Sequence, residues 1–148
     1  MRRSVDFRIR NELSEIRIVR DALDALGREL GIPMKALSQL QVALDEVVSN
    51  VVKYSWDDGN KHEFLVRITV QPTRVDLEIF DDGREYDPRT APSPGPATPG
   101  QRPRPGGLGI HMIRKLVDTF AYERIDGRNH TTLSKECSVG SAVQGSDK

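Results

Sequence analysis

One turn of a long amphipathic segment carries a carboxylate and a carboxamide four residues apart. Glu46 and Asn50 lie in "LQVALDEVVSNVVKY", whose Leu and Val residues recur at helical spacing. On a helix, residues four apart lie about 40° apart around the axis, so both side chains share one side. A carboxamide oxygen can coordinate Mg²⁺, and a carboxylate can take the proton of an attacking hydroxyl group. Taken alone, such a pair is more often an ordinary solvated pair on a helix.

Two further stretches could bind an amine and an anion. Asp81 follows the strand-like "RVDLEIF", where its carboxylate could accept a hydrogen bond from an exocyclic amine, and Gly83 lets the backbone turn away. In "GGLGIHMIRKLVD", Gly107, Leu108 and Gly109 stand at the start of a helix, where backbone N–H groups and the helix dipole suit a phosphate. The spacing fits neither a Walker loop nor a Rossmann fingerprint. Alone, the two stretches would be an acidic turn and a flexible joint.

The elements that must position these residues follow from hydrophobic periodicity. Alternation predicts strands in "SVDFRIR", "EFLVRITV", "RVDLEIF", "TFAYERI" and "HTTLSKE". Spacings of three and four predict helices over residues 14–30, about 33–54 and 108–117. The order β-α-α-β-β-loop-α-β-β, with its strand pairs joined by tight turns, indicates an α+β fold. We expect a two-layer α/β sandwich, with a mixed, mostly antiparallel sheet covered by three helices on one face.

A proline-rich segment separates the first two-thirds of the chain from the last helix. Residues 88–107 hold seven of the nine prolines and almost no apolar residue. Because this segment has little to bury, it cannot offset its own ordering entropy, and we predict a mobile, lid-like loop. The last dozen residues, 137–148, are predicted to form a flexible tail.

Composition narrows the class of protein. Lys plus Arg and Asp plus Glu number 22 each, so net charge gives no reason to expect nucleic acid or an anionic membrane as a partner. Cys137 is the single cysteine, which excludes an internal disulfide and a cysteine-based zinc cluster. The three histidines lack metal-ligand spacing. No signal peptide and no run of about 20 apolar residues is present. We expect a cytoplasmic protein.

In combination, the three chemically suggestive stretches resemble the GHKL ATPase superfamily, whose ATP site has the Bergerat fold. Within it, the short single-domain form resembles the anti-sigma-factor serine/threonine kinases. The matching stretches are "LDEVVSNVVKYSW" for the N box, "DDGREYDP" for the G1 box, and "GGLGIHMIRKLVD" with "YERIDGRNHTTLSK" for the G2 box and closing strands. The resemblance covers roughly residues 4–136. It implies an ATPase domain over residues 1–136, with an ATP lid at about 88–106.

The resemblance also implies roles for single residues. Asn50 would coordinate Mg²⁺, and Glu46 would be the general base for the attacking hydroxyl group. Asp81 would bind the adenine amino group of ATP, with Gly83 shaping that pocket and Thr132 lining it.

The phosphates of ATP would be bound by the backbone at the start of the last helix. The resemblance assigns this role to the amides of Gly107, Leu108 and Gly109. Arg102 or Arg104 in the lid would contact the terminal phosphate, although lid arginines are more often only solvated.

Three features depart from the family pattern. Tyr54 stands where the N box commonly has His, and Tyr86 stands where the G1 box usually has Phe. Residues 89–105 are unusually rich in proline, which puts the closure of the lid, and therefore the catalytic rate, in question.

The leading hypothesis is a serine/threonine protein kinase that phosphorylates an anti-sigma-factor antagonist and regulates a sigma factor by partner switching. No direct contact with nucleic acid or membrane is expected. The sequence leaves the oligomeric state open, and a homodimer is the state that proteins of the resembling family commonly form. One alternative is a nucleotide-dependent binding module with little or no kinase activity. A histidine kinase is disfavoured because no helix with a phospho-acceptor His precedes the fold. The remaining alternative is an α+β domain that binds no nucleotide.

Overall fold

In the described part of the chain, five strands and three α-helices follow one another in the predicted order, and their ends lie within two residues of the predicted ones. The structure is a computed structural model that describes residues 1–90 and 107–140. The elements are β1 (Arg3–Arg10), α1 (Ile16–Leu30), α2 (Met34–Tyr54), β2 (Glu63–Gln71), β3 (Arg74–Asp81), α3 (Gly107–Leu116), β4 (Thr119–Ile125) and β5 (Arg128–Glu136). Short 3₁₀ turns occupy Leu13–Glu15 and Pro88–Thr90.

The boundary between α1 and α2 is set by glycine and proline. Gly31 adopts a left-handed conformation with φ 80°, which a residue with a Cβ rarely takes. Its N–H donates to the Gly27 carbonyl and satisfies one of the open carbonyls at the end of α1. Pro33 then precedes the first residue of α2, where a missing N–H costs no helical hydrogen bond.

The sheet has the strand order β1-β2-β3-β5-β4. All four neighbouring pairs in the described sheet are antiparallel, which corrects the expectation of a mixed sheet. The physical reason is the position of β5. The α3 crossover returns β4 in the same direction as β3, but β5 turns back and pairs between them, so these two parallel strands never meet.

In the part of the chain that the structure describes, helices cover one face of the sheet and leave the other face uncovered. Val75, Leu77 and Ile79 of β3 are fully buried, whereas the alternating Asp76 and Glu78 are only partly buried. The helix α2 packs against α1 and α3 and contacts β3 and β5, while α1 contacts β1 and α3 contacts β4. The predicted two-layer α+β sandwich with helices on one face is therefore confirmed. Among the described helices, none has the length and apolar character that crossing a bilayer requires.

The end of the chain departs from the predicted tail. The N–H groups of Cys137 and Val139 donate to the carbonyls of Thr73 and Pro72, and that of Gly140 donates to Gly31. Val139 belongs to the hydrophobic core. The prediction of a flexible tail is therefore wrong for residues 137–140, because these backbone bonds hold Cys137 and Val139 beside the β2–β3 turn and Gly140 beside the end of α1. Residues 141–148 lie outside the described part of the chain, as do residues 91–106 of the predicted lid.

Candidate functional site

The α2 face singled out by the sequence holds a buried amide that has no hydrogen-bond partner among the described residues. Asn50 is 5% exposed, and within the described residues neither its Oδ1 nor its Nδ2 has a hydrogen-bond partner. An unpaired buried amide costs about 1–3 kcal/mol, so native proteins keep few of them. The unsatisfied carboxamide of Asn50 marks a place where a ligand could supply the missing partner.

Glu46 lies one helical turn before Asn50 and is partly buried. Its carboxylate has no ion pair or hydrogen bond with another described residue, whereas the adjacent Asp45 is bound by Arg20 at 2.9 and 3.1 Å. The two neighbouring carboxylates therefore differ in availability. Asp45 is used to join α1 to α2, and Glu46 is left to act on something else.

The C-terminal end of α2 is joined directly to the turn after β3. The N–H of Arg84 donates to the Ser55 carbonyl at 2.8 Å, and Arg84 Nε donates to the Tyr54 carbonyl at 2.6 Å. A Cβ placed on Gly83 would lie 2.3 Å from the Ser55 carbonyl oxygen, so only glycine permits this approach. The helix that carries Glu46 and Asn50 thus sets the position of the turn that follows Asp81.

Asp81 is a buried carboxylate, 4% exposed, at the end of β3. Its Oδ1 accepts hydrogen bonds from the Gly83 N–H at 3.0 Å and from Asn129 Nδ2 at 2.9 Å, and the Ser55 hydroxyl is a third donor. Burial raises the pKa of Asp81 above its ordinary value, and the hydrogen bonds with the charge of Arg124 oppose that shift. Because an ionised carboxylate offers about four acceptor positions, these three donors from the described residues leave about one position for a further donor.

Asn129 is a site residue that the sequence reasoning missed. It is 2% exposed and pairs with Asp81 across β3 and β5. The signal was present in the pattern: Asn129, Thr131 and the fully buried Leu133 alternate along β5 and so face the same side. A polar residue at an inward position needs partners, and that requirement points to Asn129.

Thr132, which was predicted to line the adenine pocket, does not lie on the same side of the sheet as Asp81. In the β3–β5 register Thr132 pairs with Glu78, while Thr131 pairs with Ile79. Since side chains alternate between faces, a shift of one residue moves a side chain to the opposite side of the sheet. Thr132 therefore lies on the uncovered face, away from Asp81, and Thr131, 4% exposed, lies on the face of Asp81.

Beyond the turn, the chain is held against α3. The carboxylate of Asp87 accepts hydrogen bonds from Arg89 Nε at 3.0 Å and from Arg89 Nη2 at 2.8 Å. These bonds to the guanidinium group lower the pKa of the Asp87 carboxyl. The Arg89 carbonyl in turn accepts a hydrogen bond from Arg114 Nη2 of α3 at 2.9 Å. The rings of Tyr54 and Tyr86 lie 6.4 Å apart, with a tilt of 45°. These contacts join α2, the turn of residues 82–84 that follows Asp81 (the Asp81 turn) and α3.

The glycine-rich stretch forms the N-terminus of α3. Gly107, Leu108 and Gly109 are the first three residues of that helix, where backbone N–H groups have no acceptor within the helix. The N-terminus of a helix favours an anion through these groups and through its dipole. Arg102 and Arg104 lie outside the described residues.

The sequence of the chain is similar to those of known proteins. The sequence profile of the histidine kinase-like ATPase domain family matches residues 9–135. The chain is similar to the serine/threonine-protein kinase BtrW of Bordetella bronchiseptica, with 36% identity over 97 residues, 64% of this chain and 67% of that protein. It is also similar to the serine-protein kinase RsbW of Bacillus velezensis, with 30% identity over 127 residues, 83% of this chain and 79% of that protein.

Solved structures show the same fold. The crystal structure of the RsbU and RsbW domains of Rv1364c from Mycobacterium tuberculosis matches with a TM-score of 0.64 and 16% identity. That match covers 90% of this chain, which spans only 32% of the larger one. The histidine kinase domain of a blue-light activated kinase from Erythrobacter litoralis matches with a TM-score of 0.53 and 15% identity, over 83% of this chain and 59% of that one.

Proposed function

Because the chain belongs to the histidine kinase-like ATPase domain family, we propose that it is an ATP- and Mg²⁺-dependent serine/threonine protein kinase of the anti-sigma-factor type. Its substrate would be a Ser or Thr of a small anti-sigma-factor antagonist, and its second partner would be a sigma factor. The relatives named serine/threonine-protein kinase and serine-protein kinase, at 36% and 30% identity, support this activity. A homodimer stays a prediction from the resemblance.

The observation that carries the proposal is the unsatisfied carboxamide of Asn50. A buried oxygen and a buried nitrogen, both without partners in the described structure, fit a residue that completes its bonds only when a ligand binds. The oxygen is a hard ligand of the kind that Mg²⁺ prefers, and the nitrogen can donate to a phosphate oxygen or to water. Asn50 therefore fits the metal that this chemistry requires.

Phosphoryl transfer depends mostly on positioning and charge neutralisation. Mg²⁺, when bound through Asn50, would neutralise charge on the phosphate oxygens. Glu46, one turn away and without an ion pair among the described residues, accepts the proton of the attacking hydroxyl group. The amides of Gly107, Leu108 and Gly109 donate to phosphate oxygens at the start of α3.

Asp81 would select the base. Its remaining acceptor position suits an exocyclic amine, which adenine has. Guanine presents a carbonyl oxygen at the equivalent position, and that oxygen would face the Asp81 carboxylate without a proton between them. The proposed preference is therefore for adenine nucleotides.

Transfer of label from ATP to a candidate antagonist domain tests the proposal. We expect label on a Ser or Thr of the partner with the unsubstituted protein, and a loss of at least about 100-fold with Glu46→Gln. Glu29→Gln, an exposed carboxylate of α1 paired with Arg3, is the control that removes the same charge. ATP-dependent binding of the partner without any label would instead indicate the nucleotide-dependent binding module.

A further inference from the structure

Asn129 lies at the centre of a hydrogen-bond network that holds the Asp81 turn. Its Nδ2 donates to Asp81 Oδ1 at 2.9 Å and to the Arg84 carbonyl at 2.8 Å. Its Oδ1 accepts from Arg124 Nη1 at 3.0 Å and from the Tyr122 hydroxyl. A single side chain thus connects β3, the turn that follows it, and β4.

The network fixes which end of the carboxamide faces Asp81. Arg124 and Tyr122 both present donors to Asn129, and a guanidinium group cannot accept a hydrogen bond. If the carboxamide turned over, its NH₂ group would face these donors and its oxygen would face the Asp81 carboxylate. Arg124 is itself held in place, because Nη1 also donates to the Gly83 carbonyl at 2.8 Å. The donor end of Asn129 therefore has one stable direction, toward Asp81.

This arrangement does two things to the Asp81 carboxylate. It occupies one side of Oδ1 and so limits rotation of the group, and it supplies a donor that favours the ionised form, which accepts hydrogen bonds. Asp81 can then present its open acceptor position in one direction. A precise acceptor distinguishes ligands strongly, because a ligand without the matching donor leaves a buried polar group unpaired.

We propose that Asn129 is a positioning residue that orients the Asp81 carboxylate toward the exocyclic amine of adenine and so sets the preference for adenine nucleotides. The inference rests on the proposed role of Asp81. Asn129 need not contact the nucleotide, and it acts through the carboxylate that does. Its removal therefore weakens only those ligands that carry the amine.

The test compares ADP with purine riboside 5′-diphosphate, which differs only in lacking the 6-amino group. Calorimetric titrations of the whole chain with both ligands give an affinity ratio for each variant. We expect Asn129→Leu, of similar volume, to lower the affinity for ADP about tenfold, the size of one charge-assisted hydrogen bond. The affinity for the analogue should change by less than about twofold.

Asn129→Asp is the second variant: it keeps the shape of the side chain but puts a carboxyl group where Nδ2 lies 2.9 Å from Asp81 Oδ1. Two carboxyl groups at this distance share one proton, so Asp81 no longer presents a fixed acceptor to the nucleotide. This variant should lose ADP affinity selectively in the same way. Asn11→Asp is the matched control: its Oδ1 keeps the hydrogen bond from the His62 N–H, and its Nδ2 bond to the Asn60 carbonyl is lost. Circular dichroism verifies that each variant is folded.

The outcomes separate the two proposals. Equal losses for both ligands in a folded Asn129 variant, or no loss for either, would overturn the inference while leaving ADP binding by the unsubstituted protein intact. Failure of the unsubstituted protein to bind ADP would overturn the proposed function and the role of Asn129 with it. A selective loss for ADP supports both.

Discussion

Replacing Gly83 tests whether the contact between α2 and the Asp81 turn matters. In Gly83→Ala the added Cβ would lie 2.3 Å from the Ser55 carbonyl oxygen and 2.6 Å from the Ser55 Cβ. Ordinary contacts begin at 3.4 Å, so one of the two segments must move by about 1 Å. The clashing oxygen belongs to the backbone and cannot rotate away as a side chain would. Such overpacking costs about 1–3 kcal/mol, a fall of about 2–12 °C in Tm for a domain of this size.

The same movement should weaken nucleotide binding. Gly83 donates its N–H to Asp81, so a shift of about 1 Å disturbs the carboxylate as well. We expect ADP affinity to fall about tenfold, measured by titration calorimetry beside a thermal unfolding curve. Gly59→Ala is the control, because its Cβ meets no atom within 4 Å while its φ of 71° makes alanine unfavourable. This variant should have a lower Tm but an unchanged affinity for ADP. Unchanged Tm and ADP affinity in Gly83→Ala would refute this reasoning.

Three further predictions concern single site residues. Glu46→Gln should keep ATP affinity within about twofold in calorimetry, because the proposed base acts on the acceptor hydroxyl rather than on the nucleotide. Asn50→Leu should raise the free energy of unfolding, measured in urea, by about 1 kcal/mol, since it removes a buried amide without a partner among the described residues. It should also abolish the effect of Mg²⁺ on nucleotide affinity. A lower free energy of unfolding in this variant would contradict the prediction. Asp81→Asn should melt at a higher temperature than the unsubstituted protein at pH 7. Burial raises the pKa of Asp81, so the carboxylate destabilises the fold above that pKa, and the difference in Tm should shrink as the pH falls toward 4.

Hydrophobic periodicity predicted the strands and helices because each of them buries one face against the core and leaves the other more exposed. Val75, Leu77 and Ile79 alternate along β3 and are fully buried, and the α2 stripe includes the buried Leu40, Leu44 and Val47. Periodicity carries no information about which strands become neighbours. The insertion of β5 between β3 and β4 depends on long-range packing. The prediction of a mixed, mostly antiparallel sheet was therefore wrong in expecting a parallel pair of strands. The docking of residues 137–140 depends on backbone bonds to the β2–β3 turn and to the end of α1, which composition cannot reveal.

The candidate site was predictable where chemistry follows local spacing. Glu46 and Asn50 share a helix face, and Asp81 ends a strand, so their positions follow from single elements. The place of Asn129 beside Asp81, and the fact that Thr131 rather than Thr132 faces the side of Asp81, depend on cross-strand register. That register is fixed only when β3 and β5 pair. The contact of Gly83 with the end of α2 is likewise tertiary. Sequence spacing therefore gave the reactive groups, and the groups that hold them required the folded chain.

The most direct test of the account is one set of calorimetric titrations of the unsubstituted chain with ADP, with and without Mg²⁺, and with GDP. We expect one ADP site per chain, tighter binding in the presence of Mg²⁺, and a loss of affinity of at least about tenfold when guanine replaces adenine. Absence of ADP binding, or equal affinity for ADP and GDP, would contradict it.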